Sequence, residues 1–304
     1  MKCRKCNQKA IINMRQHKLG LCKQHFPEWI IEQTERTIKK YKMFSQEDRI
    51  LVAVSGGKDS LALWDILVKL GYHADGLYIG LGIDEGIRYS YESLCMTRNF
   101  AQDRNLHLVE VDIRSQYGEG IHQIAQRTKR GRKKTCSICG LSKRHIMNRV
   151  TREGGYDVLA TGHNLDDEAA TLFGNTINWL DHYLLKQSPV LDAAPGLIRK
   201  VKPLIRFSER EMAAYALIRK IEYIQQECPF STDASSIQYK KILNQLEYSS
   251  PGTKQYFYQG FLKAKENGFF QQSNNKTIDP QNICPSCGQM THASGQCSFC
   301  RLIR

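Results

Sequence analysis

The chain predicts an α/β protein, a doubly wound parallel sheet with a small cysteine-rich module at each end. Three observations carry this. An apolar run, Ile50–Val54, breaks into Ser55-Gly56-Gly57-Lys58-Asp59-Ser60 and then into a helical pattern. Apolar runs and amphipathic stretches alternate from Arg49 to about Glu227, which argues for parallel strands with helices on both faces. Paired cysteines stand near both termini.

In chain order, residues 1–26 hold Cys3-x-x-Cys6 and Cys22-x-x-His25. Two such pairs around a short loop place four ligands for a structural zinc ion, and a segment with so few apolar residues needs the metal to fold. His17 falls outside the spacing and reads as a surface residue. Residues 27–48 form a linking segment, with a helix expected over 28–44: Ile30, Ile31, Thr34, Ile38 and Tyr41 recur near helical spacing, and Lys39, Lys40 and Lys42 make a solvated face. Residues 49–230 form the main domain. Strands are expected at Ile50–Val54, 74–79, 106–111, Val158–Thr161 and 197–201, and helices at 60–70, 91–105, 137–152, 166–183 and 209–221. A helical region, 231–270, holds stretches at 235–247 and 251–265 with lysines at 240, 241, 254, 263 and 265. A polar linker covers 271–282, and 283–304 closes the chain with Cys284-x-x-Cys287 and Cys297-x-x-Cys300, a four-cysteine zinc ribbon. Cys95 reads as a buried helix residue.

Of 304 residues, 44 are Lys or Arg and 30 Asp or Glu, a formal charge of +14 that favours a polyanionic partner, nucleic acid before membrane. No apolar run approaches the roughly 18 residues that span a bilayer. The N-terminus lacks the apolar core of a signal peptide, so a cytoplasmic location without membrane association is expected. Eleven cysteines in that reducing setting read as metal ligands before disulfides.

The Ser55–Ser60 turn supplies two glycines, a cation at Lys58, hydroxyls at Ser55 and Ser60, and the N–H groups of a helix start, which together suit a phosphate. It is not the G-x-x-x-x-G-K-[ST] loop of kinases and GTPases. A second signature follows the 158–161 strand, Gly162-His163-Asn164-Leu165-Asp166-Asp167-Glu168-Ala169. Gly162 permits close approach to a ligand, Asn164 or Asp166 can cap the next helix, and three acids beside a phosphate site can hold Mg²⁺. Between these motifs, a basic run with Lys129, Arg130, Arg132, Lys133 and Lys134 leads into Cys136-x-x-Cys139, with Lys143 one turn on. Cys228 stands alone in Glu-Cys-Pro-Phe. Three cysteines fit a zinc site with a further ligand, a redox pair plus a packed thiol, or an iron–sulfur cluster with one iron open; spacing does not choose among these.

Ser-Gly-Gly-Lys-Asp-Ser after an apolar strand resembles the loop of the ATP pyrophosphatase (PP-loop) superfamily. With Cys136-x-x-Cys139, the GHNLDDEA segment, a late Cys-Pro and a zinc module at each end, nearly the whole chain resembles the TtcA/TtuA family of tRNA 2-thiolation enzymes, in its zinc-bearing, uridine-modifying branch. The resemblance implies ATP bound by Ala53, Ser55, Gly56, Gly57, Lys58, Asp59, Ser60, Ile79, Lys143 and Gly162. It implies a [4Fe–4S] cluster on Cys136, Cys139 and Cys228, two Zn²⁺, and Mg²⁺. ATP would adenylate the C2 oxygen of a uridine, and sulfur would displace AMP. Lys143 is the expected electrostatic catalyst, Asp59 and Asp167 handle metal or protons, and the basic run with Lys129 to Lys134 grips tRNA. It also implies a homodimer and a sulfur donor, in this branch a ubiquitin-like carrier protein with a C-terminal thiocarboxylate. The target is 5-methyluridine(54) or the wobble uridine, and the chain's richness in Gln and Asn, residues thermophiles avoid, counts against the former. The competing expectations are a different PP-loop adenylating enzyme, either a tRNA-cytidine 2-thiolase or an amidotransferase-like synthetase, and a non-catalytic zinc-stapled RNA-binding protein.

Overall fold

A computed structural model describes residues 1–84, 88–230, 235–269 and 282–303. The expected linker at 271–282 lies outside the described residues apart from Asn282, as do the side chains of Arg130 and Lys133. The chain enters through an antiparallel hairpin, β1 (Ile12–Met14) and β2 (Leu19–Leu21). Helix α1 (His25–Lys40) follows at once. It starts before the expected residue 28, because the Cys22 carbonyl already accepts the Phe26 N–H. It stops before 44, where Lys42 takes a left-handed conformation (φ 47°) and the Met43 N–H closes onto the Ile38 carbonyl. The first module is therefore continuous with the helix. Cys3, Leu21, Cys22 and Phe26 are buried in the same apolar cluster as the central strand, so this module is part of the main core.

The sheet begins at β3 (Ile50–Val54) and leads into α2 (Lys58–Lys69), β4 (Ala74–Gly80), α3 (Tyr89–Asp103) and β5 (Leu108–Asp112). Three short helices, α4 (Ile113–Tyr117), α5 (Ile121–Gln126) and α6 (Lys129–Lys133), precede the long α7 (Thr135–Glu153). Next come β6 (Val158–Thr161), α8 (Leu165–Ile177), α9 (Asp181–Lys186), β7 (Val190–Leu191), β8 (Arg199–Val201) and α10 (Glu209–Ile218). Helices α11 (Ser235–Ser249) and α12 (Thr253–Glu266) cover α8. The ribbon contributes β9 (Asn282–Ile283), β10 (Met290–Thr291) and α13 (Ser298–Leu302).

The strand order is β5-β4-β3-β6-β8-β7, parallel except for the edge strand β7. Alternation along β3 decides which layer each side chain joins. Ile50, Val52 and Val54 pack with α2 and α10, whereas Leu51 packs with Ile138 and Ile146 of α7 on the opposite face. The chain moves outward from β3 to β4 and β5, then returns to the other side at β6. The carboxyl ends of β3 and β6 thus form a switch point, where open α/β sheets hold ligands. The single helix expected over 166–183 is instead two, broken where Trp179 is left-handed (φ 47°) and the Leu180 N–H turns back to the Asn175 carbonyl. The helix expected to reach 221 ends at Ile218 as Lys220 goes left-handed and the Ile221 N–H caps Ala216.

Under α2 lies a feature no local pattern announces. Asp65, 2% exposed, accepts from Tyr215 Oη at 2.7 Å, Arg219 Nε at 3.0 Å and Arg104 Nε at 3.2 Å. It ties the helix behind the phosphate loop to α10 and the end of α3.

Candidate active site

A cleft of about 540 Å³ opens at the switch point. It is lined by Ala53, Ser55, Gly57, Asp59 and Ser60 of the phosphate loop, Tyr78 and Ile79 of β4, Gly162, His163 and Asp167 of the second motif, and Gly140, Lys143 and Arg144 of α7. Two expected contacts, Gly56 and Lys58, are absent from this lining. Gly56 has φ 74°, and a Cβ there would lie 2.5 Å from the Ser93 carbonyl oxygen, so its conformation serves packing on α3. Lys58 turns aside to Glu209 (2.8 Å) and Asp59 (3.1 Å).

Several other residues also do structural work, Asn164 as the expected cap. Ser60 braces the turn: its hydroxyl donates to the Gly57 carbonyl and accepts from the Ser55 N–H. At Gly162 a Cβ would stand 2.9 Å from Ser60 Cα and N, so the missing side chain lets this segment pack on the phosphate-loop backbone while it lines the cleft. Asn164 is the cap of α8, accepting from the N–H groups of Asp166 and Asp167 while Asp167 accepts from the Asn164 N–H.

The three acids expected to hold Mg²⁺ separate. Asp166 is buried against Lys254 (2.6 Å) and the Glu209 N–H (2.9 Å), and Glu168 is buried against Lys202 (2.8 Å) and Tyr258 Oη (3.1 Å). Only Asp167 of the three faces the cleft, because successive helical residues point about 100° apart. Lys240 of α11 pairs with it at 2.6 Å and reaches Glu209 at 3.5 Å. Burial alone would raise Asp167, but the Lys240 ammonium outweighs it and holds the carboxyl below its ordinary range. Asp59 goes the other way: burial, with Asp167 and Glu209 adding to it, raises it against the pull of Lys58. Lys240 and Glu209 were invisible as partners in the sequence, since each is far along the chain from Asp167.

Cys136 and Cys139 occupy the first turn of α7, and the segment after α10 brings Cys228 to them. Phe230 stacks on His122 (4.7 Å between centroids), and its carbonyl accepts from Cys136 Sγ at 3.0 Å. Cys139 and Cys228 pack against one apolar cluster. Burial raises the Cys139 thiol; the Lys143 charge opposes this, while Cys228 and Cys136 add to it. Among the described residues these three sulfurs do not all lie within 4.8 Å of one another, as they would around one ion. Three thiols close enough to feel each other's charge but too spread for a single ion fit a larger group, as an iron–sulfur cluster is. Of the basic run, Lys129, Arg132 and Lys134 are exposed, on or beside α6.

Each terminal set is tighter. The ligand atoms of Cys3, Cys6, Cys22 and His25, and those of Cys284, Cys287, Cys297 and Cys300, lie within 4.8 Å of one another. Tetrahedral zinc with Zn–S near 2.3 Å requires sulfur–sulfur edges of about 3.7 Å, and sulfur–nitrogen edges of about 3.5 Å. The structure has Cys6–Cys22 at 3.7 Å, Cys287–Cys297 at 3.8 Å and Cys3–His25 Nδ1 at 3.5 Å. Burial would raise Cys3 and Cys284, but backbone N–H donors bring both thiols down to about 6, toward the thiolate that binds metal. Two further residues differ from expectation. His17 is not a surface residue: it packs on Trp29 (5.2 Å) with Nε2 3.7 Å from buried Glu211. Cys95 is half-buried.

The ribbon docks on the far half of α7. Arg152 donates to the Gly288 and Cys287 carbonyls, Gln289 to the His145 carbonyl, and Phe299 stacks on His145 at 4.0 Å.

Fold and phosphate loop together define a PP-loop protein, and residues 30–234 match the family model described as PP-loop domain. Residues 2–27 match that of the N-terminal LIM domain of the 2-thiouridine synthetase TtuA. The chain belongs to the TtcA/TtuA family of tRNA 2-thiolation enzymes, in its zinc-bearing branch. It is 47% identical to the tRNA-5-methyluridine(54) 2-sulfurtransferase of Thermus thermophilus, over 99% of this chain and 91% of that protein. The protein of the same name from Pyrococcus horikoshii is 41% identical over 99% and 93%. Among solved structures, the U34-tRNA thiolase NcsA of Methanococcus maripaludis, with its [4Fe-4S] cluster, superposes with a TM-score of 0.79 at 25% identity, covering 99% of this chain and 95% of that one. No helix among the described residues is long and apolar enough to cross a membrane.

Proposed function

We propose that this enzyme converts 5-methyluridine(54) of tRNA to its 2-thio form at the expense of ATP. The observation that carries the reading is a single cleft lined both by the phosphate loop and by Lys143, one turn beyond the Cys136–Cys139 pair. Position 54 is favoured over the wobble position because relatives named for it are 40–47% identical, whereas the U34-tRNA thiolase NcsA of Methanococcus maripaludis is 25% identical.

In this reading the N–H groups at the start of α2 and the Ser55 hydroxyl hold the triphosphate, Ala53 and the Ile79 backbone take the adenine side, and Gly162 keeps the second motif against the loop. Lys58 exchanges Glu209 for a phosphate oxygen. Asp59 and Asp167 are the carboxylates placed to share Mg²⁺ with the phosphates. Lys143, which has no hydrogen bond or salt bridge among the described residues, is free to stabilise the charge that develops as AMP leaves. When bound by Cys136, Cys139 and Cys228, the cluster supplies an open iron that holds sulfur. The terminal modules hold one zinc each, the exposed Lys129, Arg132 and Lys134 contact the RNA backbone together with Arg130 and Lys133, and the enzyme acts as a homodimer in the cytoplasm with sulfur from a thiocarboxylated carrier protein. The domain limits inferred from sequence serve this division of labour, apart from the first module's merger with the core.

The test is anaerobic reconstitution with a tRNA carrying 5-methyluridine, ATP, Mg²⁺ and sulfide, followed by nucleoside mass spectrometry and metal counting. The expected product is 2-thio-5-methyluridine with equal AMP and pyrophosphate, about four iron per chain, and loss of iron but not zinc in Cys228→Ala. Thiolation confined to the wobble position would move the assignment to that uridine; AMP release that ignores tRNA would sink it.

A further inference from the structure

We propose that His163 is the general base of the adenylation step, taking the N3 proton of the target uridine on Nε2 and returning it when sulfur arrives. The proposal rests on the thiolation reading above. Its starting point is the Thr161 contact that orients the ring. Thr161 Oγ1 lies 2.8 Å from His163 Nδ1 and 3.5 Å from the Val201 carbonyl oxygen. The 3.5 Å contact to Val201 is too long to fix the hydroxyl proton, so the Thr161 contact fits either ring tautomer; the proposed base is the one in which Nδ1–H donates to Thr161. In that tautomer the lone pair is on Nε2. Among the described residues Nε2 has no hydrogen-bond partner, and His163 is exposed on the cleft wall beside Gly162.

The chemistry requires such a group. When O2 of uridine attacks the α-phosphorus of ATP, an O2–P bond forms and the bond to the bridging oxygen breaks, releasing pyrophosphate. Neutrality of the base is kept only if the N3–H bond gives up its proton and its electron pair becomes the C2=N3 double bond. Sulfur at the hydrosulfide level then adds to C2, N3 recovers the proton from His163, and AMP departs with the C2–O pair. The sulfhydryl proton passes to water as the thiocarbonyl forms. No oxidant or reductant is consumed.

The other titratable groups of the cleft are poorly placed for this task. Asp167 is held by Lys240, and Asp59 is held by Lys58 and accepts from Asn164 Nδ2 at 3.2 Å. The charges facing His163 are Lys202 from the segment after β8, Asp167 and Glu168 from α8, and Lys240 from α11; they pair with one another as Lys202–Glu168 and Lys240–Asp167. Although the ring is open to the cleft, desolvation by the protein around it is the larger influence, and with the Lys202 charge it pushes the imidazole below its ordinary value.

The test uses His163→Asn, whose amide N–H can still donate to Thr161 while the base is lost. Single-turnover pyrophosphate release is followed with ATP and two tRNA transcripts, one with uridine at the target position and one with 5-fluorouridine, whose N3–H is more acidic. The expected result is a loss of at least about 100-fold on uridine and less than about 10-fold on 5-fluorouridine. ATP affinity should stay unchanged. The wild-type rate should fall on acidification with an apparent pKa below about 6.5, a limb missing from the variant. Equal losses on both transcripts, or a uridine rate within about threefold of wild type, would overturn the assignment. If the wild-type enzyme itself releases no pyrophosphate on either transcript, it is the thiolation reading that fails.

Discussion

Replacing Asp65 with Ala tests whether the buried ion cluster beneath α2 holds the phosphate loop in place. Removing one partner of a buried charge pair costs about 3–5 kcal/mol. Here the stranded guanidiniums of Arg104 and Arg219 are 22% and 31% exposed and recover some water, so the lower end, about 3 kcal/mol, applies. The Tyr215 hydroxyl is fully buried and loses its acceptor, which adds about 1 kcal/mol. For a chain of 304 residues, a loss of about 4 kcal/mol lowers Tm by about 6 °C. Calorimetry on the metal-loaded protein would read the shift, with Asp65→Asn costing less because it keeps an acceptor for Tyr215. Arg219→Ala should cost little further once Asp65 is gone, since both changes remove the same pair. The pH dependence has a definite sign. Burial would raise Asp65, but Arg219 and Tyr215 outweigh it and lower the carboxyl. Its contribution is therefore complete above the unfolded value of about 3.9 and lost as pH falls through the lower folded value, so the gap between variant and wild type should close only in strong acid. A shift under about 2 °C, or full additivity with Arg219→Ala, would refute the reasoning.

Gly162→Ala inserts a Cβ 2.9 Å from the Ser60 backbone, with no flexible side chain to give way; ATP affinity should fall about tenfold or more by calorimetric titration, and an unchanged value would show that the two motifs separate freely. If the ribbon holds the proposed zinc, a chelator should speed amide exchange in the second half of α7, around His145 to Arg152, before the central strands respond; uniform protection along α7 would mean the ribbon is held without a metal.

The strands β3 and β6 were legible to the residue, because each is a short apolar run ended by a glycine-bearing turn. The terminal ligand sets were legible too, since their geometry is local: two ligands three residues apart, twice. Side-chain pairings between distant segments were not. Nothing in the periodicity of α10 says that Glu209 meets Lys58, or that Asp65 meets Arg219, and the orientation of three successive acids could be assigned only once Lys254, Lys202 and Lys240 had come into view. His163 is the instructive omission. It stood inside a recognised motif, but the charges that face it, Lys202 and Lys240, come from distant segments.

Helix α7 carries thiols at one end and a docked ribbon at the other. From Cys136 to Arg152 it rises about 24 Å, since each residue adds about 1.5 Å. Because a helix resists compression and stretching, it acts as a gauge. An RNA that touches the ribbon while its base enters the cleft has to hold those two points at a matching separation, which a folded RNA can do and a slack strand does only at an entropic cost. Discrimination would then begin with the stiffness of the substrate, before any base is read.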